Sequence, residues 1–532
     1  MTHIPLLSVI VAVPFVGAAV ALILPRRAVW GWSIAVALIG LALTLALIPQ
    51  FSSAAPAYQF VEREPWLPEL GVSYSLGIDG LSVFLLALNG LLTLVALIAA
   101  PATLAMGDRA KAYGALMLAL SGAMQGVFVA TNLFLFYIFW ELMLVPAYLL
   151  VGMFGGPRRA YAAIKFVIFT AAGSLLMLVG IIWVGLVTTS TAGIPFTLDL
   201  PTLIGETAPP GAQPILFFAF MAAFAVKAGL FPLHSWAPDA YTQAPAPVAV
   251  LVAGVMAKTA VYGMLRIVLP LFPQAAVTYF PLVGTLAVIG ILYFAAQALV
   301  SNDIKRLLAY VSLSHMSVIV LAIFAMNNQG IQGAILQMVN HGVVVAALFL
   351  IAGAVEERVH TRRLTEFGGL ASRLPWLATA FLIASLSALG LPGLNSFAGE
   401  FLAFMGAFKA SVVYGAVATL VVIPAAWYML RFFQGVTEGP VPVSGAVAEA
   451  LQAGAGAGQR SKGARTGVRD IRWREGLALA PLIALIFFLG VAPSSVTAAT
   501  QTTTNQIIIG LNAAQGQPIA SQGAHVSVPA HP

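Results

Sequence analysis

Lys227-Ala228-Gly229-Leu230-Phe231-Pro232-Leu233-His234-Ser235-Trp236 interrupts an otherwise apolar run with a cation, a glycine and a proline. Proline has no N–H, so the carbonyl four residues back, at Ala228, loses its helical partner. A second stretch, Gly390-Leu391-Pro392-Gly393-Leu394-Asn395-Ser396-Phe397-Ala398-Gly399-Glu400, does the same at Ala388 and also ends on an ionisable side chain. At membrane depth, unsatisfied backbone is tolerated only where it is enclosed by protein or lines a wetted cavity. If the chain spans a bilayer, each break marks a polar interior beside a charge.

Composition places the chain in a bilayer. Of 532 residues, 60% are hydrophobic and only 8% are Asp, Glu, Lys or Arg, against about 25% charged residues in soluble domains. So few charges cannot cover a water-exposed surface, and most of the surface must face lipid. A hydrocarbon core takes about 20 apolar residues per helix. That ruler predicts spans near 4–24, 31–49, 79–101, 111–129, 132–153, 160–188 and 213–231, then 243–269, 277–299, 306–325, 330–356, 375–408, 412–434 and 476–496. The two quoted stretches fall at the seventh span and inside the twelfth, which is expected to break in its middle.

Charge distribution tests the count, because cytoplasmic loops collect Lys and Arg. Loops after odd-numbered spans hold eighteen of the 25 basic residues, whereas loops after even-numbered spans hold only Arg63 and Lys409. A miscounted helix would scramble this alternation. The pattern predicts an even number of spans with both termini on the periplasmic side. It also accounts for the net charge of +7, so no nucleic-acid partner is implied. The start of the chain, Met1-Thr2-His3-Ile4, lacks a basic leader and is read as part of a retained helix. With no cysteine, disulfides and Cys-held clusters are excluded, and seven scattered histidines offer no metal-ligand pair.

The expected fold is an all-α polytopic membrane protein of about fourteen transmembrane helices. The broken helices lie five spans apart and so run in opposite directions. Ala163-Ile164 near the start of the sixth span and Ala334-Ile335 near that of the eleventh add a faint likeness. Broken helices at matching positions of two halves point to an inverted repeat, here spans 4–8 and 9–13. The expected organisation is helices 1–3 over 1–110, a first repeat over 111–269, a second over 277–434, a flexible cytoplasmic loop over 435–475, and helix 14 with a mobile periplasmic tail over 476–532.

Ionisable groups at mid-membrane are costly and usually functional. Glu141, Lys227, Lys258 and Glu400 lie deep in spans, with His315 and His341 in two further helices. Such a set can pass a proton along and be switched by changing one partner. Structural pairing is the rival reading for each, and for the histidines a satisfied core position is a serious one. Lys165 and Arg431 near inner helix ends, and Arg266 near an outer one, are expected to snorkel. Asp79 opens a span, where a carboxylate suits the helix dipole.

Two motifs then identify a family. Phe231-Pro232-Leu233-His234-Ser235-Trp236-Ala237-Pro238-Asp239-Ala240-Tyr241 with Gln243-Ala244-Pro245, and Lys305-Arg306-Leu307-Leu308-Ala309-Tyr310 with Ser312, Ser314, His315 and Met316, resemble the antiporter-like subunits of respiratory complex I. Met256-Ala257-Lys258-Thr259-Ala260-Val261-Tyr262-Gly263 is similar to the eighth helix of the subunit M branch. Glu400 also matches that branch, because its sisters and the antiporter homologues typically have Lys in the twelfth helix. The resemblance covers roughly residues 75–435, and the 435–475 loop is longer than the family leads one to expect.

The resemblance implies that Glu141 modulates Lys227, the proton carrier of the inward-connected half-channel. Lys258 would link the halves with His315 and His341, and Glu400 would be the terminal donor toward the outside. It implies a pump module of NADH:quinone oxidoreductase in the bacterial inner membrane, with the sister antiporter-like subunits as partners. NADH, FMN, iron–sulfur clusters and quinone would be handled by other chains, and no cofactor is expected in this one. A cation/proton antiporter subunit and a hydrogenase-linked pump are the alternatives on the same fold, with a passive membrane scaffold as a third.

Overall fold

The computed structural model describes residues 5–514 apart from 56–57, 102–103, 105–106, 441, 443–444, 446, 448 and 450–468. Most of the 435–475 loop and the end of the tail, 515–532, therefore lie outside the described residues. The rest is overwhelmingly helical, and among the described residues twelve helices are long and apolar enough to cross a membrane. Two shorter apolar helices, Gln213–Ala228 and Pro375–Ala388, occupy the two segments that the sequence marks as broken.

The elements that build the site are a hairpin, Gln59–Leu67 (β1) and Val72–Ile78 (β2), followed by Gly80–Ile98 (α1) and Leu133–Phe154 (α2). Next come Gln213–Ala228 (α3), Trp236–Gln243 (α4), Ala246–Leu271 (α5), Ile304–Phe324 (α6) and Asn328–Val359 (α7). Pro375–Ala388 (α8), Asn395–Ala410 (α9), Val412–Thr437 (α10), Trp473–Val491 (α11) and Ser494–Ala514 (α12) complete them. Short polar side chains start several of these helices by accepting from free N–H groups of the first turn: Asp79 for α1, Asn132 for α2, Asp303 for α6 and Asn327 for α7.

Burial separates lipid-facing helices from enclosed ones. The apolar windows of α5 and α6 are 100% buried and that of α7 is 94% buried, against 33% for α10 and 28% for α11. Lys258, His315 and His341 sit on those three enclosed helices, so none of them faces lipid.

Both breaks form where the prolines place them. Helix α3 stops at Ala228, with Gly229 left-handed (φ 71°), and α8 stops at Ala388, with Gly390 at φ 77°. A side chain would strain either position. At the first break, the Trp236 indole N–H donates to the Val226 carbonyl at 2.8 Å. At the second, Asn340 Nδ2 donates to the Asn395 carbonyl at 2.6 Å, Asn395 returns a bond to the Asn340 carbonyl at 3.3 Å, and Ser387 donates to Asn395 Oδ1 at 2.5 Å.

The structure departs from the sequence reading in four places. The stretch between the second and third spans forms the antiparallel hairpin β1–β2, with Arg63 opposite Ser75 and Glu64 opposite Tyr74. Glu62 of β1 holds the start of the first helix, accepting from Leu7 N at 2.7 Å and Ser8 N at 3.0 Å, where a carboxylate meets the positive helix end. Residues 497–514 of the tail belong to helix α12. Arg266 does not snorkel: it is buried and ion-paired with Asp79. Lys165 likewise pairs with Asp239 at 2.8 Å, whereas Arg431 is exposed and donates to the Leu299 carbonyl.

Candidate proton-relay site

The site falls into two parts. In the first, Lys227 is buried in the last turn of α3, with its ammonium 4.0 Å from the centre of the Trp140 ring and 3.4 Å from the Trp140 carbonyl. An ammonium over an indole face is held by the ring quadrupole. Glu141, the next residue on α2, is half-buried and close enough for its charge to act on Lys227. Among the described residues the two form no ion pair within 4.0 Å, and the Trp140 contacts take that place. Three residues on, Met143 interrupts the helix pattern, where Pro146 leaves the Leu142 carbonyl without its N–H partner.

In the second part, Lys258 is wholly buried on α5, and its Nζ lies 2.7 Å from the Ala253 carbonyl and 2.7 Å from His341 Nδ1. Ala253 belongs to a π turn, Val252–Met256, and a second π turn covers Met264–Val268. Such wide turns loosen the usual carbonyl pairing and frequently accompany function. Close approach of α5 and α7 is permitted by Gly342, where an added Cβ would lie 3.0 Å from the Gly254 carbonyl and 2.7 Å from Leu88.

From His341 the chain of polar groups continues. Its ring packs edge-on against that of His315, with centres 5.5 Å apart. His315 Nε2 is 3.6 Å from Glu400 Oε1, and the ring also hydrogen-bonds to the Ala388 carbonyl. That carbonyl is the one deprived of its partner by Pro392, so the broken helix positions the histidine. Glu400 accepts from Gln337 Nε2 at 3.1 Å, and its side chain is 15% exposed.

The structure thus brings Lys258, His341, His315 and Glu400 into one row, and Glu141 and Lys227 into another. Among the described residues no hydrogen bond or ion pair joins Lys227 to Lys258.

Several polar residues of this region were not singled out in the sequence. Gln337 lies one turn before His341 on α7 and Asn340 directly before it, and Asn395 and Ser387 bind the second break. Tyr428 of α10 is fully buried within electrostatic reach of Glu400, and its hydroxyl has no partner among the described residues. The run Gln337–Asn340–His341 was a legible signal, because three polar side chains share one face of a buried helix. Tyr428 gives no such signal, since a lone tyrosine in a span is common.

Comparison with known proteins places this arrangement in a family. The sequence family described as NADH:quinone oxidoreductase/Mrp antiporter, TM matches residues 130–424. NADH-quinone oxidoreductase subunit M of Rickettsia prowazekii is 35% identical over 515 residues, covering 96% of this chain and 100% of its own. The subunit of that name from Mycobacterium tuberculosis is 36% identical over 533 residues, covering 93% and 92%. A chain of respiratory complex I from Thermus thermophilus with bound NADH superposes with a TM-score of 0.82 at 31% identity, over 95% of this chain and 99% of that one. A chain of the Mrp complex from Dietzia sp. gives 0.78 at 25% identity, over 96% and 100%. The chain belongs to the NADH:quinone oxidoreductase/Mrp antiporter transmembrane family, and M subunits of NADH-quinone oxidoreductase are among its curated relatives.

Proposed function

We propose that this chain is a proton-translocating membrane-arm subunit of a bacterial NADH:quinone oxidoreductase. Protons would enter at Lys227 under the control of Glu141, pass Lys258, His341 and His315, and leave from Glu400. The observation that carries this reading is the row from Lys258 through His341 and His315 to Glu400, of which the first three stand on helices closed to lipid. Lysine, imidazole and carboxylate in near contact can each hold a proton and hand it on, and the two broken helices supply polar backbone beside Lys227 and His315. Redox chemistry would belong to other chains of the complex, together with NADH, FMN, iron–sulfur clusters and quinone. The inverted repeat over spans 4–8 and 9–13, the division at residues 110, 269, 277, 434 and 475, and both termini outside are part of this proposal.

Because no direct contact spans Lys227 to Lys258, the middle step requires water or a side-chain movement. That gap is where a redox-driven change could switch the path. The test is Lys227→Ala and Glu141→Ala in the intact complex in membrane vesicles. NADH-driven proton pumping should fall sharply at normal subunit abundance, and unimpaired pumping in either variant refutes the relay. The likeness to the Mrp complex keeps a cation/proton antiporter as the second reading. It would be favoured if a sodium gradient alone, without NADH, drove protons through the assembled protein.

A further inference from the structure

A second group of buried charges lies on α5, eight residues beyond Lys258 and so about 12 Å along the helix. Arg266 donates to the Asp79 carboxylate, from Nε to the Tyr262 hydroxyl at 3.2 Å, from Nη1 to Tyr58 at 3.3 Å, and from Nη2 to Ser82 at 3.4 Å. Asp79 in turn accepts from the backbone of Leu81 and Ser82, both at 3.1 Å, and from the Thr503 side chain of α12. Tyr262 donates to the Phe128 carbonyl at 3.0 Å. One cluster therefore ties α5 to the lead into the hairpin, the start of α1, the helix ending at Val129, and α12.

Two contrasts assign it a role. Lys258 reaches away from the cluster, toward Ala253 and His341. The cluster is also saturated: Tyr58, Asp79, Ser82, Tyr262 and Arg266 all have partners. On the helices that meet at the second break and Glu400, by contrast, Gln337 Oε1, Asn340 Oδ1, Ser385 Oγ, Ser396 Oγ and the Tyr428 hydroxyl have none among the described residues. A fully satisfied polar network is rigid and offers no open site for a migrating proton. Buried polar atoms without a protein partner do offer such sites.

We propose that Asp79 and Arg266, braced by Tyr58, Tyr262 and Ser82, form a seal at the hairpin end of α5. It stops the Lys258 site from opening on that side, so that protons leave Lys258 only through His341. A buried arginine standing as a barrier to protons is a known device in membrane pores. The inference rests on the proposed relay, and the experiment separates the two.

Arg266→Gln is made in the full complex, reconstituted in liposomes, and passive proton entry under an imposed pH gradient is followed without NADH. The expected result is a leak several-fold above wild type, substantially reduced in Arg266→Lys and abolished in the double variant Arg266→Gln/Lys258→Met. Absence of a leak at normal assembly overturns the seal, as does a leak that Lys258→Met leaves unchanged, since that is mere loosening of structure. If Arg266→Gln does not assemble, Tyr58→Phe/Tyr262→Phe keeps the ion pair and should leak to a smaller extent; a tight membrane then counts against the proposal. Lys258→Met alone reports on the relay: normal NADH-driven pumping in that variant refutes the relay without reference to the leak.

Discussion

Replacing His341 by Phe removes one hydrogen bond from the middle of the proposed path and little else. The ring volume is retained, so the edge-on packing against His315 at 5.5 Å persists. Nε2 of His341 has no partner among the described residues, and its polar connection is Nδ1 to Lys258 at 2.7 Å. A hydrogen bond to a charged group is worth about 1.5–3 kcal/mol. If protonated Lys258 is a working intermediate, losing that bond lowers throughput by about 10- to 200-fold. The assay is proton uptake per electron in inverted vesicles, read with a pH-sensitive dye. An artificial electron acceptor serves as the control that the redox arm is intact. His341→Gln, which keeps an acceptor near Nζ, should retain more pumping than His341→Phe. Wild-type proton-to-electron ratios in His341→Phe, at normal abundance of the subunit, would refute the reasoning, because the row would then be packing and not path.

Three further outcomes are expected. Glu400→Gln should lower pumping on the order of 10²-fold, the usual worth of a general acid–base group, and Glu400→Asp should lower it less; equal activity of the two would make the position structural. Trp140→Leu removes the ring over Lys227 but leaves the carbonyl contact, a loss of about 0.5–2 kcal/mol, so pumping should fall by about 2- to 30-fold; an unaffected rate removes Trp140 from the control of Lys227. Arg358 is held by Glu475 through two bonds, at 2.6 and 2.8 Å, with side-chain exposures of 2% and 10%, and breaking a buried pair costs about 3–5 kcal/mol. Arg358→Ala should therefore reduce retention of the subunit in detergent-solubilised complex on heating, and unchanged thermal retention would show that the pair is dispensable.

What the sequence made legible were features with one physical cause each. Membrane embedding follows from the scarcity of charge, and the breaks after Ala228 and Ala388 follow from Pro232 and Pro392. The candidate groups could be named because an ionisable side chain in hydrocarbon has few innocent explanations. Partnership was harder to see, because it depends on which helix faces which. Arg266 and Asp79 are separated by 187 residues, and no local pattern relates them, so each was read alone as a helix-end residue. The hairpin was missed because its strand Gln59–Leu67 contains Pro65 and three charges, which read as loop rather than strand. Its two-stranded form gains stability by packing on helices, a tertiary effect.

The same logic explains why the two halves of the site differ. At the second break, the freed Ala388 carbonyl is taken up by His315, Asn340 binds the Asn395 carbonyl, and Ser387 holds the Asn395 side chain, so the titratable groups are fixed in contact. At the first break, Trp236 binds the Val226 carbonyl and His234 meets the Pro232 backbone, but neither holds Lys227, which is left resting on Trp140. A group held by a ring face and one 3.4 Å carbonyl contact is freer to turn than one locked by 2.7 Å bonds. If the subunit is switched by its neighbours, the movable element is therefore expected on the Glu141–Lys227 side. The row from Lys258 to Glu400 would act as the fixed outlet that this side loads.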